Sequence, residues 1–227
     1  MPTKNCADCQ SEFHAEEIDL MGRKVCFQNY CEPCLQKQVE SAEDTQAKKR
    51  QEARIDDFWS KVPPLYRNTE IERLNPVLAQ TAMNWQYNPI GLGIRGESGS
   101  GKTRAAVLLL YRQRMAGHPV MFLKATDISR YGAEQFSANR ELQNEVLRDI
   151  RYAQEVKLLL IDDLGKGRLS PAAEELLYDI LDKRSERELP VIWTANATAA
   201  QLHSMMSEDR GDAIMRRLAE FSKVISV

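Results

Sequence analysis

One eight-residue stretch, GESGSGKT at residues 96–103, constrains the fold of this chain more than any other feature. It matches the pattern G-x-x-x-x-G-K-[ST] in full, and it lies between an apolar run, IGLGIRG, and a segment of helical composition. A loop of this kind wraps phosphate groups with backbone N–H groups at the start of a helix. The sequence therefore predicts a nucleotide site carried by a strand–loop–helix unit.

The loop also predicts which atoms hold ATP and Mg²⁺. Lys102 is expected to reach the β- and γ-phosphates, and the Thr103 hydroxyl is expected to bind Mg²⁺. A glycine-rich loop without a ligand is the alternative, and the complete motif in its proper context argues against it. The remaining residues are expected to cradle the phosphates mainly through their backbone: Gly96, Glu97, Ser98, Gly99, Ser100 and Gly101.

From residue 65 onward, apolar runs alternate with helical stretches. The runs that predict strands are IGLGIRG, HPVMFLKA, VKLLLIDD, LPVIWTAN and FSKVISV. Helical composition separates them, and one helix is predicted to begin with Ser170 as its cap and Pro171 in its first turn. Continuous apolar strands that alternate with helices predict an α/β fold: a parallel five-stranded sheet flanked by helices on both faces.

Two of the predicted strands end in polar residues, and parallel strands bring such ends to one edge of the sheet. LLLIDDLG places Asp162 beside the loop, where it is expected to hold Mg²⁺ through water. Asp163 follows directly and is expected to orient or polarise the attacking water. VIWTANAT brings Asn196 near the γ-phosphate. An asparagine that bonds its own turn is the alternative for Asn196.

The beginning of the chain holds all five cysteines. CADC and CEPC are separated by twenty-one residues, which predicts a structural zinc site with four thiolate ligands: Cys6, Cys9, Cys31 and Cys34. Cys26, within RKVCFQNY, is predicted to be a buried strand residue, and His14 is a weaker replacement ligand. Reduced cysteines without a metal are the alternative.

Three regions follow from composition: a zinc-binding module at residues 1–34, a charged linker helix at 35–62 and a nucleotide-binding domain at 63–227. The linker is either a spacer or a helix that binds a partner. The formal charge of −2 indicates no nucleic-acid footprint over the whole molecule, so any such site is expected to be local. The start lacks an apolar signal core and no apolar run is long enough for a membrane span, which predicts a cytoplasmic protein without a membrane partner.

The order of the phosphate loop, IDDLG, TAN and AIMRRLAEF resembles the AAA+ ATPases, and within them the DnaC-type replicative-helicase loaders. The IstB-type transposition helpers share the same core. The resemblance covers roughly residues 65–227. It implies an ATPase that binds a hexameric replicative DNA helicase and single-stranded DNA, with ATP state controlling grip and release. The cysteine-rich start resembles the zinc ribbon of DnaI-type loaders and their phage relatives, which implies docking on the helicase.

The same resemblance assigns a role to the arginine pair near the end of the chain. In AAA+ proteins an arginine after the last helix contacts the γ-phosphate bound to a neighbouring subunit. Arg217 matches the family's D-R-L pattern, while Arg216 stands where many members carry Asp. The resemblance therefore implies self-association through the ATP site, with Arg217 as the finger; a surface arginine is the alternative.

Two departures from the family bear on turnover. Asp163 stands where many AAA+ ATPases carry Glu, and the sequence printed stops at Val227, so no C-terminal helical lid is expected. These features suit a slow, nucleotide-timed switch, and they keep open a nucleotide-sensing adaptor with little turnover. For single-stranded DNA, the segment between the second and third strands offers Arg130, Tyr131, Phe136 and Arg140 as candidates; an amphipathic helix covering the sheet is an equally good interpretation of each of them.

Overall fold

The computed structural model describes residues 2–16 and 28–227, together with the backbone of residues 18–20 and 23–25. Cys26 lies outside the described residues. The chain divides into two compact units, Met1–Ile55 and Asp56–Val227, and each is described by itself.

The first unit contains two small antiparallel hairpins and most of a long helix. Strand β1 (Thr3–Asn5) pairs with β2 (Glu12–His14), and β3 (Ile18–Leu20) pairs with β4 (Arg23–Val25). Helix α1 spans Glu32–Lys61, and its last turns belong to the second unit. Its charge-rich sequence has no Gly or Pro after Pro33, which suits a solvated helix.

The second unit alternates strands and helices. Two short 3₁₀ turns, Pro64–Tyr66 and Ile71–Arg73, lead into helix α2 (Pro76–Asn84). The remaining elements follow in the order β5 (Gly91–Arg95), α3 (Lys102–Met115), β6 (Val120–Lys124), α4 (Ala125–Glu134), α5 (Arg140–Glu155), β7 (Leu158–Leu164), α6 (Pro171–Glu186), β8 (Val191–Ala195), α7 (Ala199–Ser204), α8 (Glu208–Glu220) and β9 (Ser222–Ser226).

The five strands of this unit form one parallel sheet in the order β6-β7-β8-β5-β9. The predicted α/β fold class is therefore confirmed, and each of the five apolar runs forms a strand. The predicted cap is also present, because Ser170 Oγ accepts a hydrogen bond from the N–H of Ala173 at 3.3 Å and Pro171 opens α6. Among the described residues, no helix is both long and apolar enough to cross a membrane.

The sheet is buried on both faces, which explains why its strands are continuous apolar runs. Alternate residues of β7 point to opposite faces: Leu159 and Ile161 join one hydrophobic cluster, and Leu158 and Leu160 join the other. Helices α4 to α8 contribute to the first cluster, and α2 and α3 contribute to the second. This packing fixes the strand ends at which the polar residues emerge.

A buried arginine fixes the opposite ends of two strands. Arg184 on α6 is fully buried, and its guanidinium donates hydrogen bonds to four backbone carbonyls. The acceptors are Ala153 (2.7 Å), Val156 (2.9 Å), Lys157 (3.4 Å) and Pro190 (2.7 Å). Since these carbonyls lie around the end of α5, the start of β7 and the start of β8, Arg184 joins these three segments.

Candidate functional site

The phosphate loop connects β5 to α3 at the carboxyl edge of the sheet. The N–H of Gly96 donates to the carbonyl of Ala195 at 3.3 Å, so the loop starts beside the end of β8. Gly101 precedes α3 with a φ of +91°, a conformation that favours glycine, and it offers no side chain to cap the helix. The first N–H groups of α3 are therefore left for an anion, as the sequence predicts.

The side chain of Lys102 folds back onto the phosphate loop. Its side chain is only 4% exposed, and Nζ donates to the carbonyl of Glu97 at 2.6 Å and to Ser100 Oγ at 3.3 Å. Burial lowers the pKa of Lys102, and the negative charges of Asp163 and Asp162 act in the opposite direction. A phosphate group is a better partner for this ammonium than a loop carbonyl, because it adds a full opposite charge.

Thr103 and Asp162 come together although they are far apart in the sequence. Thr103 Oγ1 donates to Asp162 Oδ1 at 2.7 Å, and Thr194 Oγ1 donates to the same oxygen at 2.7 Å. Asp162 is 1% exposed, and this burial raises its pKa, while the two hydroxyls lower it. One carboxylate and one hydroxyl oxygen at this spacing are the hard oxygen ligands that Mg²⁺ prefers. The residues present therefore fit Mg²⁺.

Asp163 adopts a left-handed backbone conformation, with a φ of +60°. The register between β7 and β8 shifts between Ile161 and Leu164, and the Asp163 N–H donates to Thr194 Oγ1 at 2.9 Å. The bulge turns the Asp163 side chain away from the core, and its carboxylate lies 3.5 Å from Lys166 Nζ. Strain of this kind is commonly retained where a side chain has to be aimed at a ligand.

Thr194 is a site residue that sequence reasoning missed. Its hydroxyl donates to Asp162 and accepts from the Asp163 backbone, so it connects both carboxylate residues to β8. Within the segment TAN, the sequence analysis predicts a role for Asn196 alone. Asn196 is exposed, one residue beyond the end of β8. The available signal was a polar residue inside an otherwise apolar strand, because a buried hydroxyl requires a hydrogen-bond partner.

The two arginines of α8 differ in their surroundings. Arg217 Nη2 forms an ion pair with Asp182 of α6 at 2.5 Å, and its side chain is 24% exposed. Contact with Asp182 raises the pKa of Arg217. Arg216 is exposed. In the single chain, the predicted finger is thus held by its own α6, and the neighbouring arginine is the one that faces solvent.

The four cysteines predicted as ligands come together in the first unit. The sulfur atoms of Cys6, Cys9, Cys31 and Cys34 all lie within 4.8 Å of one another. A tetrahedral zinc site with Zn–S bonds of about 2.3 Å separates its sulfurs by about 3.8 Å, so the cluster fits a four-thiolate metal site. Backbone contacts around Cys9 lower the pKa of Cys6 to about 6, while the thiols of Cys9 and Cys31 raise that of Cys34.

The predicted DNA-contact segment is only partly available. Tyr131 is buried, and its hydroxyl donates to Asp149 at 2.8 Å, which agrees with the alternative of a helix that covers the sheet. Phe136 is 74% exposed in the loop between α4 and α5. Arg130 is half exposed and forms ion pairs with Asp127 and Glu134. Arg140 is exposed at the start of α5.

The parallel sheet, the phosphate loop and the buried Asp162 beside Thr103 define a P-loop nucleotide-binding domain with the AAA+ fold. The model of the IstB-like ATP binding protein family matches residues 75–227. The chain belongs to this family of IstB-like ATP-binding proteins.

Two curated relatives are similar to part of the chain. The IS21 putative ATP-binding protein of Pseudomonas aeruginosa is 26% identical over 133 residues, which cover 58% of this chain and 48% of the relative. The replicative helicase loader DnaC of Escherichia coli K12 is 23% identical over 113 residues, which cover 50% of this chain and 45% of DnaC. The match thus spans about half the length of these relatives.

Among solved structures, the DnaC helicase loader is similar in fold. The TM-score is 0.59 at 20% sequence identity, and the match covers 73% of this chain and 99% of the other. At this identity the likeness concerns the fold alone, and it agrees with the AAA+ architecture of the second unit.

Proposed function

We propose that this chain is a cytoplasmic ATPase that loads a hexameric replicative helicase onto single-stranded DNA, with ATP hydrolysis switching it between grip and release. The observation that carries the ATPase part is the 2.7 Å hydrogen bond between Thr103 Oγ1 and Asp162 Oδ1 beside a complete phosphate loop. The loader part is supported by the similarity to DnaC.

In the proposed reaction each polar residue has one role. Lys102 and the loop N–H groups bind the phosphates, and Thr103 and Asp162 hold Mg²⁺, which supplies positive charge to the phosphate oxygens. Asp163, turned out of the sheet by its bulge, polarises the attacking water, and Asn196 positions that water. The burial of Asp162 and Lys102 strengthens these electrostatic interactions because little water is present to screen them.

Completion of the site by a second copy of the chain is part of the proposal, with Arg217 as the finger. Arg217 is paired with Asp182 in the single chain. For Arg217 to contact the nucleotide of a neighbouring copy, this ion pair must open, or the whole pair must lie in the interface between the two copies. An ion pair at the protein surface, such as this partly buried one, contributes on the order of 1 kcal/mol, so binding to a γ-phosphate can replace it.

The cysteine cluster is proposed to hold Zn²⁺ and to give the first unit the rigidity needed to dock on the helicase. A zinc ion bound by four thiolates has no free coordination position for a substrate, so its role would be structural. Residues 1–34 carry more acidic than basic side chains, which supports protein docking over DNA contact.

A second candidate is a transposition helper of the IstB type. The family match over residues 75–227 and the 26% identity to the IS21 protein favour it. The two candidates share the ATPase chemistry and differ in their partners, which are a helicase with single-stranded DNA or a transposase with duplex DNA. A nucleotide-sensing adaptor with little turnover is the remaining alternative. The steady-state rate of ATP hydrolysis, measured with and without single-stranded DNA, distinguishes it from the two ATPase candidates.

The first experiment mixes two inactive variants. Lys102→Ala and Arg217→Ala are each expected to lose hydrolysis alone and to recover part of it when mixed, because one contributes an intact site and the other an intact finger. Arg216→Ala mixed with Lys102→Ala is the matched comparison for the neighbouring arginine. Recovery in neither mixture contradicts a finger acting in trans. If Arg216→Ala, and not Arg217→Ala, is inactive alone and recovers hydrolysis with Lys102→Ala, the role belongs to Arg216.

The partner is tested with the full-length, zinc-loaded protein in host extract with ATP, followed by mass spectrometry. Capture of a hexameric replicative helicase supports the loader, and capture of a transposase supports the helper. A variant carrying Cys6→Ser and Cys34→Ser is expected to lose the helicase while retaining ATP binding. Retention of the helicase by this variant contradicts the docking role of the cysteine unit.

A further inference from the structure

Helix α8, which carries Arg216 and Arg217, is held at its start by a buried carboxylate of α6. Glu174 is only 4% exposed, and both of its carboxylate oxygens accept hydrogen bonds from Ser207. The Ser207 N–H donates to one oxygen at 3.0 Å, and the Ser207 hydroxyl donates to the other at 2.5 Å. Ser207 directly precedes α8 and does not cap it with its own side chain, so a neighbouring helix binds the start of α8 instead.

Two further contacts join the same face of α6 to α8. The Arg210 guanidinium lies 5.6 Å from the ring centroid of Tyr178, and Asp182 forms the ion pair with Arg217. Glu174, Tyr178 and Asp182 follow one another at intervals of four residues, so they lie on one face of α6. Their partners follow in the same order along α8. Helix α6 therefore holds α8 at its start and again in its last turn, where Arg217 stands.

The apolar contacts between the two helices are less specific than these polar ones. Ile214 and Leu218 of α8 pack in the same hydrophobic cluster as Leu177 and Leu181 of α6. Burial of apolar surface carries no directional preference. A buried carboxylate with two hydrogen bonds is different, because any shift that breaks those bonds leaves a buried charge without a partner. Glu174 therefore determines the register of α8 along α6.

The register of α8 decides where the guanidinium of Arg217 stands. A finger has to come within hydrogen-bond distance of a γ-phosphate, about 3 Å, and a misplacement of about 1 Å can cost a factor of about 100 in rate. We propose that Glu174 is a positioning residue for the finger: it binds the start of α8 and thereby fixes the position from which Arg217 reaches the nucleotide of a second copy. The inference rests on the proposed function, because it assumes a finger that acts in trans.

Glu174→Met tests this role, because it approximately keeps the volume of the side chain and removes both acceptors. An apolar side chain suits a buried position, so we expect an unchanged melting temperature. The measurements on the full chain are the rate of hydrolysis at saturating ATP and the dissociation constant of a fluorescent ATP analogue with Mg²⁺. We expect hydrolysis to be about tenfold slower and the dissociation constant to be unchanged, because the variant's own phosphate loop is intact. Glu175→Met, the same substitution at the exposed neighbouring residue, is the matched control and is expected to behave as wild type.

Mixing shows whether the defect lies in the finger or in the chain's own site. Lys102→Ala is expected to restore part of the hydrolysis of Glu174→Met, because it offers a correctly placed α8 to the intact phosphate loop of that variant. The double variant Lys102→Ala/Glu174→Met is expected to restore Arg217→Ala about tenfold less well than Lys102→Ala does. A purely structural role of Glu174 predicts no such dependence on which copy carries the substitution.

Wild-type hydrolysis in Glu174→Met, or a loss that Lys102→Ala does not restore, overturns the inference, while recovery in the mixture of Arg217→Ala with Lys102→Ala still supports the proposed finger. Absence of recovery in that last mixture overturns the proposed site in trans, and the inference with it.

If Glu174→Met melts at a lower temperature than wild type, Ser207→Ala provides the second test, because it leaves Glu174 in place and removes one of its two hydrogen bonds. Hydrolysis by Ser207→Ala is expected to be about threefold slower and to recover with Lys102→Ala. Wild-type hydrolysis by Ser207→Ala contradicts the role given to Glu174.

Discussion

The nucleotide site and the cysteine cluster obtain their geometry from opposite sources. Thr103 and Asp162 stand at the ends of elements whose apolar residues fill two large clusters, so packing holds them in place before any ligand binds. In the described part of the first unit, the buried residues are Cys6, Ala15 and Cys34. Two of these three are proposed metal ligands, so little apolar burial remains to stabilise this unit without the metal.

This difference shows where each unit can tolerate change. A site supported by a core loses activity when a ligand is replaced, but it keeps its fold. A unit that is stabilised mainly by its bound metal loses its fold when a metal ligand is replaced, because metal binding and folding are then one equilibrium. The following variants test this contrast, beginning with the largest effect.

Removal of one zinc ligand is expected to unfold the first unit and to spare the second. For Cys6→Ser in the full chain, we expect zinc content to fall from one equivalent to none and hydrogen exchange in residues 2–16 to lose protection. The loss reflects a metal contribution of about 10 kcal/mol or more in small zinc modules. Metal analysis and hydrogen-exchange mass spectrometry provide the measurements.

Cys26→Ser is the matched control, because Cys26 is a cysteine of the same region that is not among the four proposed ligands. It is expected to retain one equivalent of zinc. Zinc loss in Cys26→Ser, or full zinc content in Cys6→Ser, contradicts the ligand assignment. A large shift in the thermal transition of the second unit contradicts the independence of the two units.

Replacement of the buried arginine is expected to damage the core-supported unit more than any surface change. Arg184→Leu leaves four carbonyls without their donor, which costs about 3–5 kcal/mol and lowers the melting temperature by about 10 °C. Arg187→Leu, three residues further on, removes an exposed ion pair with Glu155 at 3.3 Å and is expected to cost about 0.5 kcal/mol. Equal melting temperatures for the two variants contradict the role given to Arg184.

Asp162→Asn is expected to increase stability in the absence of Mg²⁺ and nucleotide, while it abolishes hydrolysis. Burial raises the folded-state pKa of Asp162 above its ordinary value of 3.8, so the folded protein loses stability as pH rises through that pKa. Asparagine removes this cost, and we expect a gain of about 1 kcal/mol at pH 7 that vanishes near pH 3.8.

Urea unfolding of both proteins at the two pH values measures the effect. Asp56→Asn, at an exposed carboxylate of the same unit, is expected to change stability by about 0.5 kcal/mol or less at either pH. A loss of stability in Asp162→Asn at pH 7 would show that its two hydroxyl partners outweigh the burial of its charge.

Local sequence was sufficient for the α/β fold and for the residues of the phosphate loop. The complete motif lies within eight consecutive residues, and each buried strand is a continuous apolar run, so neither depends on distant partners. Asp162 was predictable because parallel strands bring their carboxyl ends to one edge. The cysteine pairs were predictable because their spacing is itself the pattern of a metal site.

The sequence by itself determined which chemical groups this chain carries and in which order its strands and helices follow. Only the tertiary structure decided which of those groups meet: Thr194 with Asp162, Arg184 with four carbonyls and Arg217 with Asp182. These encounters depend on strand order and on the docking of helices, which arise from packing over the whole core. No short segment encodes them, because each partner is chosen by the fold as a whole.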